Sequence, residues 1–317
     1  MTASQAARAS EPAPLPLGTR DESRATSRWR ETLRNILRQR SAVVGLLILA
    51  VLALAAIFAG FIAPYSPETV LISEGARPRT PPCIYLLGCP ETQPQVLLGT
   101  DGNVRDVFSR AIYGGQISLT VGLVTVVFAI IVGSLIGAIS GYAGGWLDNV
   151  LMRLMDFLIA FPALLLAIVI VTVLGRSLNN AMLAVGIVAI PIYARVMRAS
   201  VLSVREQDYV TAARALGESG AGILRRRIVP NSMTPMVVQG TLGVATAILE
   251  VAALSFLGLG AAPNIPEWGN MIGLERNQLF SAPHLILVPG LLLTLTVLAF
   301  NLLGDGLRDA LDPRLNR

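Results

Sequence analysis

The apolar residues of this chain fall in long uninterrupted blocks, unlike the alternation of a strand or the one-sided stripe of a soluble helix. Ala42 to Ala63, "AVVGLLILAVLALAAIFAGFIA", carries no charge over 22 residues, enough helix to cross a hydrocarbon core about 30 Å thick. Pro64 and Pro67 close it. A second block runs from about Ile117 to Ile139, and a third from about Phe157 to Leu174, entered through "GGWLDNVLMRLMD". The fourth, "AMLAVGIVAIPIYA" at Ala181–Ala194, has only 14 uncharged residues. It spans only if Arg195 and Arg198 lie near the far interface and snorkel. A fifth block lies within Met233–Leu257, interrupted by Glu250, and the sixth is Leu285–Gly304. Pro162, Pro191 and Pro289 fall inside these blocks. Bends rather than breaks are expected there, because neighbours in a membrane bundle can satisfy the freed carbonyls.

The remaining segments organise around these six spans. Residues 1–27 are rich in Ala, Ser, Pro and charge, without periodicity and without the apolar core of a cleavable signal peptide, and predict a disordered cytosolic tail. In "SRWRETLRNILRQR", Ser27–Arg40, the apolar Trp29, Leu33, Ile36 and Leu37 recur at helical spacing among arginines. That pattern predicts an interfacial helix which, with the first span, makes a unit over 28–64. Residues 65–116 form a polar extracytoplasmic loop, 117–304 a five-helix core carrying a cytosolic loop at 204–230, and 305–317 a cytosolic C-terminus.

Composition places the chain in the membrane class, with 53% hydrophobic and 14% charged residues and a mean hydropathy of +0.63. All 25 basic residues are arginine. With no lysine the chain cannot build a phosphate-cradling P-loop, so any ATP hydrolysis that drives it belongs to another polypeptide. The single histidine, His284, stands far in sequence from Cys83 and Cys89. This leaves no His-based catalytic or zinc constellation, and His284 reads as an interfacial side chain. The chain therefore reads as non-enzymatic and binds no cofactor of its own. With six spans and the N-terminus inside, nineteen arginines fall on the cytosolic side and six outside, the bias that the positive-inside rule requires. Without the fourth span this bias disappears. The arginine-rich N-terminal helix lacks any nucleic-acid recognition fold, so lipid headgroups are its expected partner.

The cytosolic stretch "YVTAARALGESGAGILRRRIVPN", Tyr209–Asn231, interrupts the apolar pattern. Glu206 and Asp208 open an Ala-rich helical run with acidic residues at the positive end of its dipole, and Gly217 supplies its C-terminal turn. A second helical run, about Ser219 to Val229, carries Arg225, Arg226 and Arg227 and ends at Pro230. The prediction is a compact helical hairpin at the membrane surface. Ala212, Ala213 and Ala215 are small enough to let its backbone sit deep in a groove of another protein.

Three other features carry chemistry. Glu250 is costly inside a span; it is either a lining group of a polar substrate path or paired with a neighbouring helix. Asp156 reads as an i,i+3 partner of Arg153. Cys83 and Cys89, in "PPCIYLLGCP", lie in the outer loop, where an oxidising compartment favours a disulfide.

The hairpin resembles the cytosolic EAA loop of bacterial ABC-importer permeases. Thr211, Ala212 and Ala213 stand at the Glu-Ala-Ala triplet, Gly217 four residues beyond, and Val229-Pro230 at the Leu-Pro position. Thr211 replaces the usual Glu, Arg227 the usual Ile and Val229 the usual Leu. "LGTDGNVRDVFSRAIYGGQISLTVGL", "GYAGGWLDNVLMRLMDFLIAFPALLLA", "ALSFLGLG", "PEWGNMI" and "LLTLTVLAFNLLGDGLRDALDPRL" are similar to the C-type permease of the dipeptide, oligopeptide and nickel importers. The similarity covers roughly residues 30–317. Val104, in "DGNVRD", stands where such permeases usually have a glycine before the Arg-Asp pair. The resemblance implies an all-α polytopic fold, a type I importer permease with six transmembrane helices and a coupling-helix hairpin. It makes Glu206, Asp208, Thr211, Ala212, Ala213, Ala215, Leu216, Gly217, Arg225 and Pro230 the ATPase-coupling residues. It also implies a homologous second permease, two cytosolic ATPases holding ATP and Mg, and an extracytoplasmic binding protein, all at a bacterial cytoplasmic membrane with both termini inside. The expected cargo is a di- or oligopeptide, with nickel complexes or glutathione as alternatives. An ATP-independent secondary carrier fits less well, because only Glu250 could belong to an intramembrane chain of ionisable groups.

Overall fold

The computed structural model describes residues 39–85, 88–90 and 94–311. The predicted tail over 1–27 and the amphipathic helix up to residue 38 lie outside these, as do Arg314 and Arg317. The described residues are helical, and β pairing among them is limited to the isolated bridges Cys83–Val96 and Thr100–Asp106.

Helix α1 (Arg40–Ile57) is followed by the single turn α2 (Ala59–Ile62), and α3 (Val107–Ala143) is the longest element at 37 residues. It starts ten residues before the predicted span because Asp106 caps it, its carboxylate accepting from the Ser109 amide at 2.7 Å. Two consecutive glycines with positive φ, Gly144 at 66° and Gly145 at 59°, then turn the chain sharply into α4 (Gly145–Ile159). Helix α5 (Ala163–Leu174) follows at 92° to α4.

The third block is therefore broken, contrary to the expectation of a mere bend. Pro162 is the extended residue before α5, where its missing N–H and fixed φ favour starting a helix over continuing one. Pro191 and Pro289 do lie inside continuous helices, α6 (Leu178–Arg205) and α11 (His284–Leu311). Between these come α7 (Asp208–Ala215), α8 (Gly220–Ile223), α9 (Thr234–Phe256) and α10 (Trp268–Glu275). Helices α1, α3, α6, α9 and α11 are each long and apolar enough to cross a membrane, and α4 with α5 makes a sixth crossing when the bent pair is taken as one.

Because α6 has 28 residues, it is about 42 Å long and carries the weak fourth span with room to spare. Arg195 and Arg198 do not simply snorkel. Arg195 Nη2 meets Asp156 of α4 at 2.6 Å, and Arg198 grips Asp148 of α4 through two bonds of 2.6 Å. Asp156 thus pairs across to α6, and the expected pairing with Arg153 does not form.

The bundle is centred on α3 against α6. Gly133, Gly137 and Gly141 recur every four residues along one edge of α3. A Cβ on Gly133 would come within 2.7 Å of the Tyr193 Cβ, one on Gly137 within 2.9 Å of the Met197 Cβ, and one on Gly141 within 3.0 Å of the Arg198 carbonyl oxygen. Small residues at four-residue spacing let two backbones approach in lipid, where packing replaces the hydrophobic drive. Ala194 and Met197 on the facing side are fully buried. Helix α1 uses the same device against α11, where Gly45 faces the Ala299 carbonyl and Gly306 faces Ala42. The outer surface is apolar: Leu47, Val51, Ile57, Ile131 and Val173 are 60–82% exposed, as lipid contact requires.

Gly137→Leu should overpack the α3–α6 seam. It is expected to cost at least about 2 kcal/mol, read as a lower midpoint of denaturant unfolding in detergent micelles; an unchanged midpoint would show that the seam does not hold the bundle.

Candidate coupling surface and translocation cavity

The cytosolic hairpin is built by short-range rules. Helix α7 ends in a Schellman turn: the Glu218 amide donates to the Ala213 carbonyl and the Gly217 amide to that of Arg214, both at 3.1 Å, with Gly217 at φ 82°. Ser219 caps α8, accepting from the Gly222 amide at 3.3 Å. The chain then widens into a π turn over Leu224–Ile228 and stops at Pro230, which opens a 3₁₀ turn. The predicted second run is thus one continuous helical stretch over residues 220–228, α at its start and π at its end. An ion pair between Arg227 and Glu218 at 3.2 Å closes the hairpin on itself.

Two faces result. Val210, Ala213, Ile223 and Ile228 are buried in the protein's own core, whereas Thr211, Ala212, Ala215 and Leu216 are exposed, Leu216 by 88%. Ala213 therefore does not share the outward surface with Ala212 and Ala215. It is an inward packing residue, because it sits three positions after Val210 on the same helix face. Glu206, Asp208, Gly217, Arg225 and Pro230 are all exposed around this surface. The hairpin is fastened to the bundle from behind. Arg205 donates to the Gly141 carbonyl of α3 at 3.0 Å, and Gly220 sits against the Tyr142 hydroxyl.

Just above the hairpin, Asp148 gathers three helices. Besides the two bonds from Arg198 of α6, it accepts one from Ser140 of α3. A bidentate guanidinium–carboxylate pair fixes both distance and orientation, so α4 cannot slide along α6 without breaking it.

Within the bundle a cavity of about 100 Å³ lies between α6 and α9, bordered by Tyr193, Gln239, Thr246 and Glu250 and otherwise by Val, Ile and Ala side chains. Helix α9 runs through Glu250 without interruption. Glu250 makes no hydrogen bond or ion pair among the described residues.

Sequence reasoning gave no role to the opposite end of the bundle. There Asp101 accepts from Arg105 at 2.8 Å and lies 3.5 Å from Arg110, whose side chain is 1% exposed. Glu275 receives Arg79 at 2.9 Å and the Gly102 amide at 2.8 Å. Glu267 caps α10 through the amides of Gly269 and Asn270, and burial pushes its carboxyl above the usual carboxylate range. Burial likewise raises Asp106. The signal for this network was present in the sequence, in the close acid–base spacing of "TDGNVRD", but spacing alone could not pair Asp101 with an arginine nine residues on. Val104 adopts φ 59°, a left-handed conformation unfavourable for a β-branched residue, at the position where a glycine is usual. Its side chain is 2% exposed among Leu71, Cys83 and Val96, so burial offsets the backbone strain. Cys83 and Cys89 are joined in a disulfide, with Cα atoms 5.4 Å apart.

Residues 133–317 match the family model described as binding-protein-dependent transport system inner membrane component, and residues 27–82 match the N-terminal TM domain of oligopeptide transport permease C. The chain belongs to this permease family. The family's relatives include a dipeptide transport system permease protein DppC of Alkalihalophilus pseudofirmus, 42% identical over 93% of both chains. Another DppC, from Haemophilus influenzae, is 44% identical over 88% of this chain and 92% of its own. The glutathione transport system permease protein GsiD of Escherichia coli O6:K15:H31 is 42% identical over 95% of both. Among solved structures, a chain of the MetNI methionine ABC transporter in an inward-facing conformation superimposes with a TM-score of 0.51 at 19% identity. That match covers 62% of this permease and 93% of the other chain, and extends the likeness to the fold.

Two measurements test this account of the permease. A double-mutant cycle of Asp148→Asn and Arg198→Gln should return a coupling of about 1 kcal/mol, above the typical value for an exposed pair; additive effects would remove the clamp. Cys83→Ser with Cys89→Ser should lower stability by about 2 kcal/mol, from the small loop released, and mass analysis of the non-reduced wild type should find no free thiol.

Proposed function

We propose that this permease forms half of the translocation pathway of an ATP-driven importer that carries peptides into the cytoplasm. The observation that carries the reading is the two-faced hairpin: a small-residue surface, Thr211, Ala212, Ala215 and Leu216, standing outward on an element whose other face is locked into the bundle. An exposed leucine and two exposed alanines on a rigid helix suit a cleft in another protein. The occupant is a cytosolic ATPase, one of two, which holds ATP and Mg because this chain has no lysine for a P-loop. A homologous permease completes the pore, and an extracytoplasmic binding protein delivers cargo.

In this mechanism ATPase closure displaces α7, and the displacement passes to α6 and α9, which flank the hairpin on either side. Packed interfaces have discrete arrangements and do not deform continuously, so a shift at the hairpin becomes a change of the bundle between outward and inward states. The distribution of arginines supports a cytosolic position for the hairpin and both termini. Cargo is assigned as peptide on the strength of the DppC relatives at 42% and 44% identity. The GsiD relatives at 42% support glutathione, itself a small peptide, as the second reading.

Ala212→Arg adds bulk and charge to the outward face without touching the buried one. Uptake of a radiolabelled dipeptide by cells or proteoliposomes is expected to fall at least about tenfold, or about 1.4 kcal/mol, with membrane insertion of the complex unchanged. Uptake at the wild-type rate would end the coupling assignment.

A further inference from the structure

We propose that the cavity between α6 and α9 binds the primary ammonium group of the translocated substrate, with the Glu250 carboxylate as its counter-charge. The proposal rests on the peptide reading, since it names the part of the cargo that this pore recognises.

Glu250 lies on a continuous membrane-spanning helix, six residues before the last residue of α9, Phe256. The charged side chains of the neighbouring span are treated differently. Arg195 and Arg198 of α6 each meet an aspartate of α4 at 2.6 Å. Glu250 has no hydrogen-bond or ion-pair partner among the described residues, yet it borders the one cavity described between α6 and α9. An ionisable group left unpaired inside a span is costly, and it persists where a ligand supplies what the protein does not.

The walls define the ligand's chemistry. An ammonium has three N–H donors and no acceptor, so it asks for one carboxylate and neutral oxygens around it. At its Glu250 end the cavity offers that carboxylate and the Thr246 hydroxyl one turn before it on α9, with Tyr193 of α6 and apolar side chains as walls; Gln239, eleven residues before Glu250, lines the other end. Apolar walls lower the local dielectric and strengthen a single charge–charge contact. Gly243 makes room for this arrangement, because a Cβ there would overlap the Tyr193 hydroxyl. A dehydrated metal ion is a poorer fit. No group of three His, Cys, Asp or Glu is assembled among the described residues, and a single carboxylate is a sparse ligand set for a divalent cation. The space, about 100 Å³, is ample for a charged head group, and a site that reads only that group serves cargo of differing side chains.

The test uses the complete importer in proteoliposomes with its binding protein, comparing uptake of a dipeptide with that of its N-acetylated counterpart at saturating concentration. Because the binding protein is the same throughout, any change in the ratio of the two rates belongs to the permease. Glu250→Gln is expected to lower the free-amine to N-acetyl ratio at least tenfold, mainly by slowing the free dipeptide. Glu250→Asp should keep most of the wild-type ratio. Unchanged rates in Glu250→Gln, or an equal loss of both substrates, would overturn the ammonium site while leaving the peptide reading in place. A wild-type importer that takes up neither compound would instead remove the peptide reading and this site with it.

Discussion

The close approach of α3 and α6 is the constraint on which the other features rest. In lipid two helices gain nothing by hiding apolar surface from each other, so their association must come from atomic contact. The glycines at 133, 137 and 141 remove the side chains that would keep the backbones apart, and Ala194 and Met197 fill the seam they leave. Once that seam is fixed, the end of α6 is fixed too. Arg205, its last residue, reaches the Gly141 carbonyl at the end of the same glycine series, so the hairpin that follows starts from a rigid point.

Rigidity at that point matters because a lever works only if its attachment does not yield. Helix α7 is eight residues long, too short to be stable by itself. It is held by burial of Val210 and Ala213 behind it and by the Schellman turn at Gly217. The Asp148 clamp ties α4 to the same region of α6. A push on the outward face of the hairpin would therefore meet α3, α4 and α6, which are tied together at this end.

Much of this organisation was legible in the sequence, and the reasons are local. Long apolar runs located five of the six blocks, and the arginine distribution required the weak fourth run to span, which α6 is long and apolar enough to do. The turn at Gly217 and the stop at Pro230 follow from backbone chemistry that one residue decides. What was hidden depends on partners distant in sequence. Helical spacing paired Asp156 with Arg153, but the bundle brings Arg195 from another helix. Composition could not tell that Ala213 faces inward while Ala212 faces outward, since that depends on where Val210 finds its core. The break at Pro162 looked like the tolerated prolines 191 and 289. It differs because the chain there leaves α4, whose apolar residues Trp146 and Phe157 remain exposed, and turns by 92°.

The charges inside the bundle divide according to what the transport cycle can permit. Arg195 and Arg198 are neutralised by aspartates of α4, so these pairs hold in every state in which α4 and α6 move together. Glu250 borders the cavity between α6 and α9, two helices that also pack against each other and against α3. A permanent ion pair across that cavity would act as a latch, resisting the motion proposed for the hairpin, because breaking a partly buried pair leaves a desolvated charge. On the proposed ammonium reading, a carboxylate without a resident partner avoids the latch and lets the cation arrive with the cargo and leave with it. The same geometry that makes the fixed clamps useful near the hairpin makes a fixed partner for Glu250 a hindrance toward the far end of α9.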